Sequence, residues 1–370
     1  MTFDVVVIGA GIAGASIAAE LAGTARVLLL EAESLPGRHA TGRSAAFWSQ
    51  TYGGPLVEPL TTASGPFLAC PPADFAERSF LSPRGELHIA DSAGCNALAD
   101  LEAEFADTHV RLDPLDRAAL EAILPGLCAG WTHGLIERSC QDIDVAALHA
   151  AYLRQARQSG AELVVDAAVI AAHRRPGSWR VVTAAATYEG ALVVNAAGAW
   201  ADQVAAMFGA RPLGVAPYRR TMVQLRTTPP PPPDLPLVMD ARGRFYFKPE
   251  AGSRLWLSPH DESPCVPHDC APEELDIATA VDRFEQVVDW RVERVERSWA
   301  GLRSFAPDRL PVYGFDPVAP GLFWFAGQGG FGIQTAPAAA RLAASLLLGT
   351  APHPSVAAID PAPYAPARFG

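Results

Sequence analysis

The 370-residue sequence lacks an excess of positive charge, an unbroken apolar stretch long enough to span a bilayer, and the cysteine spacing of a disulfide framework. Lys and Arg total 29 against 40 Asp and Glu, a formal net charge of −11. That balance argues against nucleic acid as a partner, because neutralising phosphates takes a basic face. No basic amphipathic stretch points to a membrane surface. The opening Met1-Thr-Phe-Asp4 has no basic residue, so no secretory signal is expected. The first apolar run, Val5 to Ala19, is broken by Gly9, Gly11 and Gly14 and is too short to span a membrane. Cysteines at 70, 95, 128, 140, 265 and 270 fit a reducing cytoplasm, the expected location. Cys265-Val-Pro-His268-Asp-Cys270 brings two thiols and an imidazole close in sequence, but no second pair follows and no metal site is expected.

What is present is apolar: 49% of residues are hydrophobic and 19% charged, enough for one large or two medium domains. The first fifty residues organise the rest. Val5 to Ile8 is a β-branched run suited to a buried parallel strand, and Gly9-Ala-Gly11-Ile-Ala-Gly14 then opens a helix. Gly9 permits the sharp turn, Gly11 lets backbone approach a pyrophosphate, and Gly14 lets helix and sheet pack closely. Phosphates would sit where unpaired N–H groups and the positive end of the helix dipole converge. Val27 to Leu30 reads as a second strand ending in Glu31, placed to accept hydrogen bonds from a ribose. The pattern predicts a bound dinucleotide. After Glu31 the chain runs on as a small, glycine-punctuated loop, Pro36 to Ala46, in which Arg38 or Arg43 can pair with phosphate as a planar fork. Such a loop suits an extended FAD better than a nicotinamide nucleotide.

Along the chain, Leu81 to Ala90 reads as a turn into a strand with Glu86, His88 and Ala90 on one face. Helices are expected over Ala97–Phe105, Ala118–Ile123, Ile143–Gln158 (capped by Asp142 or Asp144), Asp202–Phe208, Glu273–Trp290 and Ala336–Leu348. Strand-like segments are Glu162–Val165, Ala167–Ala172, Trp179–Thr183, Ala191–Asn195, Val215–Leu225, Leu237–Met239, Phe245–Phe247, Pro311–Gly314 and Leu322–Phe325. Pro229 to Pro233 has no donors for a ladder and is expected as an extended surface connector. Asn195-Ala-Ala-Gly-Ala-Trp200 and Ala326-Gly-Gln-Gly-Gly-Phe-Gly332 each follow a strand with small residues, a second and third close approach of backbone to the cofactor. The latter could aim donors at the flavin edge where charge gathers on reduction.

These motifs, with Val7 to Ala15, Thr41-Gly-Arg-Ser-Ala-Ala46, Trp299-Ala-Gly-Leu-Arg-Ser304 and Gln328 to Gln334, resemble the D-amino-acid oxidase-like flavoprotein family, most nearly its bacterial D-arginine dehydrogenase branch. The resemblance implies an α/β fold: a discontinuous, Rossmann-like FAD-binding domain (1–50, 141–212, 306–370) with an inserted α+β, mostly antiparallel substrate domain (51–140, 213–305). It implies non-covalent FAD lined by Gly9, Gly11, Ile12, Ala13, Gly14, Glu31, Ala32, Arg38, Thr41, Arg43, Ser44, Ala45, Ala46, Val169, Ala197, Gly198, Trp200, Arg303, Gln328, Gly329, Gly330, Phe331, Gly332, Ile333 and Gln334.

It also implies that Arg220 and Arg303 grip a substrate carboxylate, with Tyr246 assisting, and that Tyr52, Ser49 and Phe47 belong to a mobile lid. Glu86 would receive a cationic side chain, and Gly330 and Gln334 would lie beside flavin and substrate. Two departures bear on substrate. Phe47 stands where the D-arginine branch has histidine, and Arg242-Gly243-Arg244 where that branch is acidic, which shifts the expected preference toward neutral D-amino acids. The implied reaction is hydride transfer from the α-carbon to flavin N5, the imino acid then hydrolysing to a 2-oxo acid and ammonia. The electron acceptor, a quinone or oxygen, is left open. The rivals are a glycine or N-methyl amine oxidase releasing hydrogen peroxide, a non-catalytic FAD-binding subunit, and a nicotinamide-dependent reductase.

Overall fold

The computed structural model describes residues 2–370. The opening strand, Thr2–Ile8, lies in the middle of an eight-stranded sheet, parallel to Val27–Leu30 on one side and to Thr187–Asn195 on the other. Glu162–Val164 extends the parallel pairing beyond Val27–Leu30, and Leu322–Ala326 runs parallel to Thr187–Asn195. The β-branched run is explained by burial on both faces. Val5, Val7 and Leu29 pack on helices Ile12–Leu21 and Ala336–Leu348. Val6, Ile8, Leu28 and Leu30 pack with Val204, Phe208 and Trp324 on the other side. The strands Val169–Arg175 and Ser178–Thr183 add an antiparallel flank.

The second sheet has ten strands and is antiparallel except where Leu237–Asp240 runs beside Glu86–Asp91. Its long central pair, Ala216–Thr228 and Arg291–Phe305, is paired along its whole length, with register shifts between Gln224 and Leu225 and between Arg226 and Thr227. One face packs Leu87, Val223, Phe247 and Leu257 against helix Glu274–Glu285 through Ala280 and Phe284. The other face carries Arg220, Met222, Tyr246 and Arg303 toward the first sheet. The expected α/β architecture with a mostly antiparallel second sheet is therefore what the chain forms, and a three-stranded sheet of Phe47–Trp48, Leu81–Pro83 and Gln141–Ile143 joins the two.

Three local expectations need correction. The helix expected from Ile143 starts at Val145, because Gln141–Ile143 is taken as a strand by Phe47–Trp48 and Leu81–Pro83; Asp144 is the cap, accepting from the Ala147 N–H at 2.9 Å. The helix expected to reach Trp290 ends at Glu285, since Val287, Val288 and Trp290 turn into the core. The extended piece expected over Ala167–Ala172 is a strand over Val169–Arg175, with Ala167 buried before it.

Candidate active site

A cavity of about 480 Å3 runs between the two sheets, from the Gly9 turn to Gly330. At one end the helix Ile12–Leu21 begins without a side-chain cap of its own at Gly11, and the Ile12 N–H is taken by Thr41 Oγ1 at 2.9 Å. Gly9 has φ +98°, and a Cβ there would lie 2.6 Å from the Ala196 carbonyl oxygen. A Cβ on Gly14 would lie 1.7 Å from the Gly9 carbonyl oxygen, so Gly14 serves packing and not the cavity. Glu31 lines the cavity while one of its oxygens accepts from the Ala10 N–H at 2.8 Å and the other from the Glu33 N–H at 3.0 Å. This fixes the carboxylate beside the turn.

Of the expected cofactor residues, Ile12, Ala13, Ala32, Ser44, Ala45, Val169, Ala197, Gly198, Trp200, Gln328, Gly329, Gly332 and Ile333 line the same cavity. Gly14, Ala46, Phe331 and Gln334 do not. Ala46 packs with the Trp48 and Phe67 cluster, and Phe331 with Val57 and Phe305. Gln334 is drawn away by Ser49 N–H, the Tyr52 carbonyl and Thr61 Oγ1. Arg38 and Arg43 line the cavity, but both forks already hold Asp269, and Arg43 also donates to the Cys270 and Ala300 carbonyls. The free phosphate fork expected of them is a structural tie between the loop and the second sheet.

At the other end, Arg303 Nη1 donates to the Tyr52 hydroxyl at 2.5 Å and Nη2 to the Tyr246 hydroxyl at 3.4 Å. Among the described residues no carboxylate pairs with Arg303. Arg220 is buried; its Nε donates to the Asp261 carbonyl and its Nη2 to Glu262, while Nη1 has no partner. Burial, then the charge of Arg303, brings the Arg220 guanidinium down to about 10. Gly330 lies under both groups: a Cβ there would be 1.9 Å from the Tyr52 hydroxyl and 2.9 Å from Arg303 Nη1. Phe47 packs 5.5 Å from the Tyr52 ring and 6.3 Å from that of Tyr246.

Several neighbours had no signal in the sequence. Asp261 and Glu262 hold Arg220, and Met222 Sδ lies 3.1 Å from the Tyr246 hydroxyl. His260 donates from Nδ1 to the Gly243 carbonyl at 2.6 Å and packs edge-on to Tyr246. Burial, then Arg220 and Arg303, hold its imidazole down at about 2, so it is neutral.

Two expectations do not survive. Glu86 does not line the cavity; it is 1% exposed, opposite Glu137 in the strand ladder, with Oε1 3.6 Å from His88 Nε2 and no partner for Oε2. Burial, then the charge of Glu137, raises its carboxyl to about 8, so it is no receptor for a cationic side chain. Ser49 is fully buried and bonded to Glu137 and Thr51, which fixes the segment expected as a lid. Arg242 and Arg244 lie outside the cavity, paired with Asp91 and Asp240.

A glycine turn without room for a Cβ, an open helix start and a long cavity between two sheets fit a dinucleotide at one end and its reactive ring at the other. Comparison with known proteins agrees. Residues 4–346 match the family model described as FAD dependent oxidoreductase. The chain belongs to that family. FAD is its cofactor, and the protein is an FAD-dependent oxidoreductase. It is 31% identical to a glycine oxidase of Pseudomonas aeruginosa, over 99% of each chain. The structure of glycine oxidase from Geobacillus kaustophilus superposes with a TM-score of 0.85 at 25% identity, covering 98% of each chain. L-proline dehydrogenase from P. horikoshii shares the fold, with a TM-score of 0.82 at 21% identity over 99% of this chain and 97% of that one. These likenesses support the family expected from the motifs and point to glycine oxidases rather than to the D-arginine branch. No helix among the described residues is long and apolar enough to cross a membrane.

Proposed function

We propose that this flavoprotein oxidises the Cα–N bond of neutral α-amino acids, of D configuration where the α-carbon is chiral, to an imino acid that water hydrolyses to a 2-oxo acid and ammonia. The observation that carries this reading is Arg303, a cation deep in the cavity with two tyrosine hydroxyls and no carboxylate partner. Such a charge calls for an anion from outside the chain, and the unpartnered Nη1 of Arg220 supplies a second donor for it. A substrate carboxylate satisfies both. With Arg220 already paired to Glu262 and the substrate carboxylate matched to Arg303, burial of this end disfavours a further charge, which favours loss of the substrate's ammonium proton before the C–H bond breaks. FAD held along Gly9, Gly11, Glu31 and Gln328–Gly330 would supply the hydride acceptor for the α-carbon. Tyr52 and Tyr246 orient the guanidinium; Met222 lines the same end with apolar surface, and Phe47 packs behind it without lining the cavity.

Among the described residues no acidic side chain lines this end of the cavity; Glu31 and Glu33 lie at the other. Neutral side chains are therefore favoured over guanidinium or ammonium groups. In this reading the cofactor unit is 1–50, 141–212 and 306–370 and the substrate unit 51–140 and 213–305. In the same reading the flavin is non-covalent: among the described residues the lining holds no cysteine, and the histidine there, His39, is bonded to Glu33 at 2.9 Å. The glycine oxidase likeness favours a second reading in which glycine or an N-methyl amine is the preferred substrate and oxygen the acceptor.

Anaerobic bleaching of the flavin by glycine, sarcosine and the D and L forms of alanine, methionine, leucine, phenylalanine, lysine and arginine separates these. Neutral D-amino acids are expected to reduce the flavin faster than D-arginine, and L forms not at all. Preference for glycine or sarcosine with peroxide formed in air supports the second reading. A hundredfold advantage for D-arginine would overturn both.

A further inference from the structure

We infer that Glu137 is a positioning residue for the carboxylate clamp, fixing the segment Ser49–Thr51 so that the hydroxyl of the next residue, Tyr52, meets Arg303. The inference rests on the clamp proposed above. Glu137 ends the strand Trp131–Glu137 and is fully buried. Its Oε1 accepts from the Gln50 N–H and Ser139 Oγ, both at 2.9 Å. Its Oε2 accepts from Ser49 Oγ and the Thr51 N–H, both at 3.1 Å, and from Thr51 Oγ1 at 2.7 Å. Two consecutive backbone N–H groups and three hydroxyls thus converge on one carboxylate. Arg84 and Lys248 pair with Asp142 instead, so donors alone hold the charge in the interior.

The segment needs such an anchor. Gly53 and Gly54 follow it with φ +107° and +80°, and on that side the backbone is held by turn bonds alone, Gly54 N–H to the Thr51 carbonyl and the Val57 and Glu58 N–H groups to the Gly54 carbonyl. Tyr52 in between spans to the clamp: its hydroxyl accepts from Arg303 and covers Gly330, and its carbonyl accepts from Gln334 at 3.0 Å. Gln334 also accepts from the Ser49 N–H at 3.2 Å, so the anchored segment is tied to the glycine-rich loop at the cavity wall as well. The path from Glu137 to Arg303 therefore has three links: carboxylate to backbone, backbone to Tyr52, hydroxyl to guanidinium. Glu137 itself does not line the cavity. A neutral amide in its place offers one acceptor oxygen and presents an NH2 to donors, which frees part of the segment.

The test uses the FAD-loaded protein and a non-oxidisable carboxylate, benzoate or acetate, titrated by its shift of the flavin absorbance. Glu137→Gln is expected to keep its flavin and to weaken carboxylate binding about tenfold or more, raising KM more than it lowers kcat. Tyr52→Phe is expected to weaken binding too, and the double variant to be no weaker than Tyr52→Phe alone within about twofold, because both act through one contact. Thr51→Val, which removes one donor and leaves the carboxylate, is expected to shift binding in the same direction by a smaller factor, and it serves if Glu137→Gln fails to fold. Unchanged binding in Glu137→Gln or in Thr51→Val, with Tyr52→Phe impaired, would overturn the positioning role, as would full additivity in the double variant. If neither carboxylate perturbs the wild-type flavin, or Arg303→Ala binds them as well as wild type does, the clamp itself fails, which is a distinguishable result.

Discussion

Arg303 and Gly330 form one unit at the scale of single residues, because the guanidinium and the Tyr52 hydroxyl occupy the space a side chain at 330 would need. Arg303→Ala, or Arg220→Ala, should lower kcat/KM by about 3 kcal/mol or more in transition-state terms, since a substrate carboxylate is left facing an unmatched site. Steady-state kinetics on the best neutral amino acid checks this, and unchanged efficiency with flavin retained would remove the pair from the site. Gly330→Ala tests the same geometry from below. The tip of Tyr52 can yield, so folding and flavin content should survive, while KM rises as the Tyr52–Arg303 bond opens; an unaltered KM would contradict the close approach.

The proposed clamp was legible in the sequence only through the resemblance. An arginine on a strand has no local mark of a substrate ligand, and the partners that leave Arg303 unmatched come from positions 52 and 246. Glu86 shows the limit of that route: the expectation rested on a family position, whereas the pairing of Glu86 with Glu137 across the ladder buries it. Nothing in the local sequence announces that Glu137 collects donors from residues 49–51, because such a network exists only after distant strands meet.

Secondary-structure elements were more legible, for physical reasons that differ by element. Helix Ala336–Leu348 agrees with its expectation because Pro337 opens it and Gly349, at φ +63°, closes it. The central strands are continuous apolar runs because both faces are covered. Gln141–Ile143 was missed since three polar-flanked residues owe their strand to Phe47–Trp48 and Leu81–Pro83, not to their own pattern. The glycine turn invites a prediction of its own. At Gly9 an alanine must adopt a φ near +98° and meet the Ala196 carbonyl, a strain of about 1–3 kcal/mol before the contact is counted. The turn between the first strand and helix should shift, so Gly9→Ala is expected to purify with much less than one FAD per chain, measured as the ratio of flavin to protein absorbance. Full occupancy would mean that the turn tolerates the shift and that the glycine is not what admits the cofactor.

Across the whole molecule, stability should pass through a maximum near pH 6.5, because buried groups pull in opposite directions on either side of it. His88 is pushed down by burial from 6.5 to about 4, and burial also lowers His149. The unfolded chain therefore binds protons that the folded one refuses, and this share of the stability is lost as pH falls from 6.5 toward 4. Glu86 has the opposite sign. Its carboxyl rises from 4.5 to about 8 by burial and the neighbouring Glu137, so the folded state keeps a proton the unfolded state has released, and stability declines as pH rises between those values. Below 6.5 the slopes of three histidines, His260 as well as His88 and His149, outweigh the single opposing slope of Glu86; between 6.5 and 8 Glu86 acts without that opposition. One retained proton is worth about 1.4 kcal/mol per pH unit, hence about 2 kcal/mol over that interval, a fall of a few degrees in the thermal midpoint. Glu86→Gln keeps the shape of the protonated acid and cannot ionise. Its thermal midpoint should be nearly flat from pH 6.5 to 8 and should exceed that of wild type at pH 8, both measured on FAD-loaded protein. If the variant follows the wild-type decline step for step, the proton is not held at Glu86.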